Sequence, residues 1–348
     1  MKVRLGDYVS IKTGRLDANA ASENGKFPFF TCSVEPLKID KYSYDCECVL
    51  VAGNGDLNVK YYYGKFDAYQ RTYIIESRNK NILSVKYLYF FLDNYLDTLR
   101  KEAIGGVIKY IKLSNLSEAK IKLLDLEKQL EIVNILENIN LLISLRKNQL
   151  KKLDELVKSR FIEMFGDPVK NEKNLPLEQL SKIGILERGK SQHRPRNAPE
   201  LLGGPYPLIQ TGDVSNSNIY ITTYSNTYSE LGLKQSKLWE PGTLCITIAA
   251  NIAQTAILTF KACFPDSVVG FIPNNNTNII FIHYWFEFFQ KVLEEQAPQV
   301  AQKNINLKIL SELKVILPSI ELQNEFADFV KQTDKSKFVI QKLLNYLL

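Results

Sequence analysis

The sequence predicts a mixed α/β protein made of two similar half-molecules in tandem, each closed by a long helix, with the two helices pairing as a coiled coil. Three observations carry this reading. First, the chain repeats itself: KYIKLSNLSEAKIKLLDLEKQLEI at 109–132 aligns without a gap with KNINLKILSELKVILPSIELQNEF at 303–326, each partner lying 194 positions on (303 less 109). Matched pairs include Lys109/Lys303, Leu116/Leu310, Glu118/Glu312, Lys120/Lys314, Glu127/Glu321 and Gln129/Gln323. A period this long lies far beyond the ~20–50 residues of solenoid repeats and points to a duplicated domain. Second, 348 residues exceed what a single core usually organises. Third, apolar residues recur at sevens after the first repeat, at Leu136, Ile143, Leu150, Val157 and Met164, with Ile132, Ile139 and Leu153 on the adjoining seam. That is a coiled-coil period.

The elements follow in the same order in each half. RLGDYVSIKTGR (4–15) and QLSKIGILERGK (179–190) both read as a short amphipathic helix and then a strand ending at Gly14 or Gly189. FPFFTCSV (27–34) and YPLIQTGDV (206–214) read as extended runs between turn formers. CVLVAGNGDLNVKYYYG (48–64) and GTLCITIAANIAQTAILTF (242–260) are apolar strand pairs, each broken by a polar turn. VKYLYFFLDNYLDTLRK (85–101) and IHYWFEFFQKVLEE (282–295) are aromatic helical stretches. Asp125 and Ser319 are aligned candidate N-caps, with Glu127 and Glu321 in the first turn, where the helix dipole favours a carboxylate. Nothing breaks the first long helix before FGDP at 165–168, which predicts a rod of ~60 Å, too long to pack wholly on a domain of its own. The last helix repeats the apolar pattern through Leu322, Phe326, Phe329, Ile340, Leu343 and Leu347, interrupted by Thr333 and Ser336. The expected domain plan is 1–124, a spacer helix at 125–168, 169–318, and a second spacer helix at 319–348.

Composition narrows the class of function. No run approaches the ~18 apolar residues that would span a bilayer. MKVRLGDYVS carries no apolar core of a secretion signal, so a cytoplasmic location is expected. Five cysteines show no CxxC spacing, and with two histidines in the chain a four-ligand zinc site is hard to assemble. A net charge of +6 is only moderately basic, so the placement of charge says more than its sum.

No glycine-rich methyltransferase loop, Asn/Asp-Pro-Pro-aromatic tetrapeptide or P-loop occurs. GNGD at 53–56 reads as a tight turn. Glu118-x-Lys120 and Glu312-x-Lys314 mimic the E-x-K tail of metal-dependent nucleases. Asp97 could serve the first copy, but only Glu294 and Glu295 stand upstream of the second. Surface residues flanking packed leucines account for both copies more simply, so no catalytic residue and no metal ligand is assigned. What remains is a binding constellation. ERGKSQHRPRNAPE (187–200) carries Arg188, Lys190, His193, Arg194 and Arg196 with no acid between Glu187 and Glu200, a loop able to reach phosphates and base edges. In the first half VKYYYGKFDAYQRTYII (59–75) mixes Lys60, Lys65, Gln70 and Arg71 with tyrosines. Arg15, Thr211 and the repeat's Lys109 and Lys303 complete the DNA-contact candidates.

With these residues in view, the chain resembles the specificity subunits of Type I restriction-modification systems over essentially its whole length. The carrying stretches are the aligned repeat, its LPSIELQ junction (317–323), LVKSRFIEMFGDP (156–168), YPLIQTGDVS (206–215) and GNGDLNVKYYYGKFDAYQRTYII (53–75). The resemblance implies two target-recognition domains, each reading one part of a bipartite double-stranded DNA site, held apart by two helices paired antiparallel. It implies a non-catalytic subunit on which two modification methyltransferase subunits dock, joined by restriction (motor-nuclease) subunits. S-adenosylmethionine, ATP and Mg would then belong to those partners and no cofactor to this chain. The chain departs from the pattern at Leu124, where the second copy has Pro318, and the last helix runs to Leu348 with no counterpart of FIEMFGDP. The alternatives are a metal-dependent DNA nuclease using the E-x-K residues, or a DNA-binding regulator with no enzyme partner.

Overall fold

The computed structural model describes residues 1–193, 195–249, 252–296 and 305–348, and only the backbone of 291–296. It divides into two compact units, Met1–Ser144 and Leu145–Leu348.

In the first unit a six-stranded sheet runs in the order Val9–Thr13, Thr72–Ser77, Tyr44–Ala52, Val59–Ala68, Phe27–Phe30, Leu37–Ile39. Its central strand explains the unbroken apolar run Cys48–Ala52. Alternate side chains point to opposite faces, and here both faces are buried. Val49 and Val51 pack with Leu88 and Leu92 of the helix Val85–Asn94, while Cys48 and Leu50 pack with Phe30, Phe66 and Ile74. The sheet curls enough for the Tyr44 hydroxyl to donate to Thr13 O (3.3 Å). Ser84 caps the helix, its hydroxyl accepting from Tyr87 N (3.5 Å). The repeated segment then forms the short helix Leu113–Ser117 and the strand Lys120–Lys122, which pairs with the opening strand Lys2–Arg4.

The second unit follows the same plan with different strands. Gly184–Arg188, Val268–Pro273, Leu244–Thr247, Thr255–Leu258 and Tyr220–Ile221 form one sheet; Asn226–Tyr228, Leu202–Leu208, Ala262–Cys263 and Leu238–Trp239 form another. The strand Lys314–Ile316 pairs with Leu177–Gln179, as its repeat partner does in the first unit. Two local expectations change. The amphipathic helices expected at 4–15 and 179–190 are single 3-10 turns, Leu5–Asp7 and Leu180–Lys182, because strands begin at once on both sides. The extended run at 206–214 stops at Leu208, and Thr211–Ser215 is a helical turn in which the Asp213 carboxylate accepts from Gln210 N (2.8 Å).

Each domain is fastened to its helix by a fully buried glutamine. The Gln129 amide donates to Ile82 O (2.7 Å) and Leu124 O (2.8 Å), and its oxygen accepts from Ser84 N (2.9 Å). Gln323 donates to Asn276 O (3.2 Å) and Pro318 O (2.9 Å) and accepts from Asn278 N (2.8 Å). Every partner in the second set lies 194 positions beyond its counterpart, so the duplication extends to individual hydrogen bonds. The first long helix, Leu126–Phe165, starts one residue after Asp125, whose carboxylate accepts from Lys128 N (2.9 Å); the last, Ile320–Leu347, starts after Ser319, whose hydroxyl accepts from Leu322 N (3.5 Å).

The two helices pair antiparallel within the second unit. Arg160 meets Glu325 (2.9 Å) and, further back along the first helix, Asp154 meets Lys337 (2.6 Å). Phe161 and Phe165 pack edge-to-face on Phe326, and Val157 is fully buried. Leu150, Leu153 and Met164 are half-buried here, as are Ile132, Leu136, Ile139 and Ile143 toward the helix start. On the last helix the buried stripe is shifted from the expected one. It runs through Gln323, Phe326, Val330, Thr333, Ile340 and Leu344, with Phe329 and Leu347 half-buried. Leu322 and Leu343, expected in the seam, are 42 % and 43 % exposed, each one position off the stripe. Thr333 does not interrupt the seam, because its hydroxyl donates back to Phe329 O (3.0 Å) and leaves its methyl to pack.

Two predictions follow from this packing. Gln129→Ala removes three hydrogen bonds to partly buried main chain and should cost about 1–3 kcal/mol, read as a lower urea midpoint; a change within the ~0.5 kcal/mol of a surface substitution would show that the amide is not a fastening. The second concerns His283, buried on the helix Ile279–Gln296 with Nδ1 2.9 Å from Thr255 Oγ1. Burial, with a smaller push from Lys158, lowers its pKa to about 4. The folded protein therefore resists protonation that the unfolded chain accepts near ~6.5. Stability contributed by neutral His283 is complete above that value and falls by roughly 3 kcal/mol as pH drops toward 4. His283→Gln should flatten the stability profile between pH 6.5 and 5, measured by denaturation at fixed ionic strength.

Candidate nucleic-acid interface

Three backbone connections, with side-chain bonds from Asn58 and Gln70, draw most of the first unit's candidate residues to one end of its sheet. Gly53 N donates to Arg71 O (2.7 Å), a contact so close that a Cβ on Gly53 would sit 2.3 Å from that oxygen. Gln70 N donates to Leu16 O (2.9 Å), bringing the 69–71 turn against the segment after Arg15, and the Gln70 amide donates to Asp17 (2.7 Å). Gly55 N donates to Lys109 O (3.0 Å), and the Asn58 amide donates to Cys32 O (2.8 Å) while its oxygen accepts from the Lys60 ammonium. Arg15, Lys60, Gln70, Arg71 and Lys109 are thus gathered around the GNGD turn. Burial lowers the Lys60 pKa, which makes that ammonium receptive to an added anion. Lys65 is placed apart from these connections, 4.8 Å above the Tyr42 ring.

The second unit offers a cleft instead. A hollow of about 510 Å³ is lined by Arg188, Arg196, Asp266, Ser267 and Asn306, and an adjoining one of about 280 Å³ by Arg196, Gln210, Thr211 and Ser267. Arg196 divides them, its guanidinium 2.6 and 2.8 Å from the Asp266 carboxylate oxygens, and Arg188 donates to Asp266 O. Thr211 opens the helical turn on the cleft wall.

The 187–200 loop is not the unpaired cationic loop that its sequence suggested. Lys190 lies 3.8 Å from Glu187, His193 4.0 Å from Glu200, and Arg196 on Asp266. Asp266 stands 70 residues from Arg196, and nothing local in the sequence announces it. Such partly exposed pairs are worth roughly 0–1 kcal/mol, so an incoming phosphate can take the carboxylate's place at little cost. Arg194 and Lys303 lie outside the described residues. Asn58, Gln210 and Asn306 were missed; single amides in turns carry no pattern that marks them.

In the first copy of the E-x-K motif the acids are engaged elsewhere. Glu118 is paired with Arg4 (3.0 Å) and Asp97 with Arg100 (3.1 Å), while Glu294 and Glu295 fall where side chains are not described. Among the described residues no three His, Cys, Asp or Glu side chains come together to hold a metal ion, and no helix is long and apolar enough to cross a membrane.

Comparison with known proteins follows the duplication. The family described as "Type I restriction modification DNA specificity domain" matches residues 1–155 and again 173–347. The EcoDI specificity subunit of Escherichia coli is 33 % identical over 156 residues, 45 % of this chain and 34 % of that protein. The putative MjaX specificity subunit of Methanocaldococcus jannaschii is 24 % identical over 277 residues, 74 % of this chain and 63 % of its own. The match therefore spans about a third and somewhat under two thirds of those two relatives. The MjaVIII specificity subunit of the same organism is 23 % identical over 374 residues, 95 % of this chain and 85 % of that protein. Among solved structures, a Type I restriction-modification S subunit from M. genitalium shares the fold with a TM-score of 0.65 at 18 % identity, covering 100 % of this chain and 92 % of that one. A chain from a Type I R-M system structure gives 0.60 at 16 %, covering 100 % and 96 %. With both halves matched and the hydrogen bonds of the repeat duplicated, the chain belongs to the family of Type I restriction modification DNA specificity domains.

Proposed function

We propose that this protein is the DNA-reading specificity subunit of a Type I restriction-modification complex. Each half reads one part of a bipartite double-stranded site, and the chain performs no chemistry itself. The two long helices hold the halves and carry two methyltransferase subunits, and motor-nuclease subunits join for cleavage. S-adenosylmethionine, ATP and Mg are bound by those partners, and the complex works in the cytoplasm.

The observation that carries this reading is the contrast between what is duplicated and what is not. The helix junctions agree down to single hydrogen bonds, whereas the polar ends differ: Arg15, Lys60, Gln70, Arg71 and Lys109 around a tight turn in one unit, and an Arg188–Arg196–Asp266 cleft in the other. Two domains with a common mounting and separate polar surfaces suit a split site of two unlike halves. Arginine matches guanine bidentately, and Gln70 and Gln210 have the amide that pairs with adenine.

Two measurements test it. Methyl transfer with and without a partner methyltransferase subunit should be absent for this chain alone and site-specific for the pair, with methylome sequencing returning a bipartite site. Methylation by the chain alone, or a pair that methylates without sequence preference, would refute the reading; stable DNA binding with no partner association would point to a regulator. Arg196→Ala should then relax or weaken one half-site by about 1–3 kcal/mol and leave the other unchanged. Equal losses at both halves would mean that Arg196 contributes only general phosphate attraction.

A further inference from the structure

In the first unit the chain between the helix Leu96–Glu102 and the repeated segment doubles back on itself. Ile104 N donates to Tyr110 O (3.0 Å) and Tyr110 N to Ile104 O (2.8 Å), closing a short loop. The loop is fastened beneath to the GNGD turn, where Lys109 O accepts from Gly55 N (3.0 Å) and Ile111 N donates to Gly53 O (2.9 Å). Gly105 turns the corner at φ +120°, and a Cβ there would lie 2.6 Å from Ile108 O, so the shape requires glycine. The loop is held in one conformation at its base and is not a loose strand of polar residues.

What it displays is apolar. Val107 is fully exposed and Ile108 is 63 % exposed, adjacent on the tip. Scattered exposed aliphatics need no explanation, but two in succession on a braced projection do. Around them Lys101, Lys109 and Lys112 are exposed, and none is in an ion pair among the described residues. Two acids stand near them, Glu102, which accepts from the Asn115 amide (2.9 Å), and Asp56 on the turn beneath, so the three lysines leave the projection net positive by one charge. An apolar point between lysines complements a groove whose floor is made of base edges and whose rims are phosphates.

We propose that the 104–109 loop is a wedge that enters a DNA groove, with Val107 and Ile108 packed against bases and Lys101, Lys109 and Lys112 on the flanking phosphates. The inference rests on the DNA-reading function above and adds a contact of a different kind. Valine and isoleucine side chains have no donor or acceptor, so they cannot read a base edge by hydrogen bonding. They act by displacing water and by partly unstacking a base step, which favours steps that open easily. The wedge thereby gives the first half a preference at a position where no polar side chain reaches.

The test uses the full chain assembled with its methyltransferase partner and a duplex carrying the methylated site, with 2-aminopurine placed in turn along the first half-site. Binding of wild type should raise the fluorescence at one step. Val107→Ser with Ile108→Ser, both at exposed positions, should weaken binding about tenfold, the scale of a single good base contact, abolish that rise and leave the salt dependence unchanged. Lys109→Ala should keep the rise and lower the slope of log affinity against log salt by about one. Wild-type affinity in the double serine variant, or no fluorescence change on wild-type binding, overturns the wedge while leaving the DNA-reading function intact. Retained DNA binding with loss of the partner overturns it in favour of a protein-docking knob. If wild type binds no duplex at all, the DNA-reading function fails and the wedge fails with it.

Discussion

The structure depends on two glutamines that never reach solvent. A helix can leave a domain in a fixed direction only if its first turn is tied to the domain by bonds that cannot slide. Gln129 and Gln323 supply such ties, each with two donated hydrogen bonds and one accepted. Glutamine alone suits the position. Glutamate lacks the donors, asparagine is a methylene shorter, and an apolar residue would leave these carbonyls and the loop N–H without the amide. Because one donated bond reaches a domain loop, at Ile82 or Asn276, and the other the chain two residues ahead of the helix, at Leu124 or Pro318, turning the helix would break bonds on both sides of the amide. The first turn of each helix is thereby fixed to the domain that precedes it.

The far end of the first helix is held by packing. Phe161 is stacked on Phe281 and Phe288 and set edge-on to Phe326, so side chains from three helices share one aromatic cluster. Beyond it a charged residue enters the seam. Lys337 sits seven residues after Val330 and seven before Leu344, with its ammonium on Asp154 (2.6 Å) and near Asp334 (3.6 Å). A charged residue at a seam position weakens a coiled coil and selects one register. Its stem covers the seam while its head finds an acid. The pairing therefore joins an aromatic cluster near the domain to one ion pair further along, after which Ile340 and Leu344 resume the apolar stripe.

Much of this was legible from local chemistry. The caps at Asp125 and Ser319, the strands around Val49–Val51 and the heptad on the first helix are written in periods of two and seven, and these survive folding. Gln129 and Gln323 were visible only as matching letters, because glutamine is ordinarily a surface residue and burial needs partners that no window of sequence contains. Leu322 and Leu343 were read into the seam because they are apolar, whereas the stripe admitted Gln323, Thr333 and Lys337 on account of their hydrogen bonds and ion pairs. The 187–200 loop misled for a similar reason. Its charge was read from neighbours in sequence, but Arg196 is answered by Asp266 from a distant turn. Likewise, nothing in the first half foretold that the second would divide its strands between two sheets.

The opening strand of each unit pairs with the strand that precedes the helix, Lys2–Arg4 with Lys120–Lys122 and Leu177–Gln179 with Lys314–Ile316. The entrance and the exit of each unit's sheet-bearing domain are therefore neighbours, joined by main-chain bonds, and the glutamine behind them also bonds to main chain alone. A mounting of this kind makes no demand on the side chains it holds. A gene segment lying between the two strands can be exchanged for another of different length and sequence, and the replacement arrives with both ends already in place. On the DNA-reading function proposed above, such an exchange within the repeat would give the chain a new half-site while leaving the helix junction unchanged.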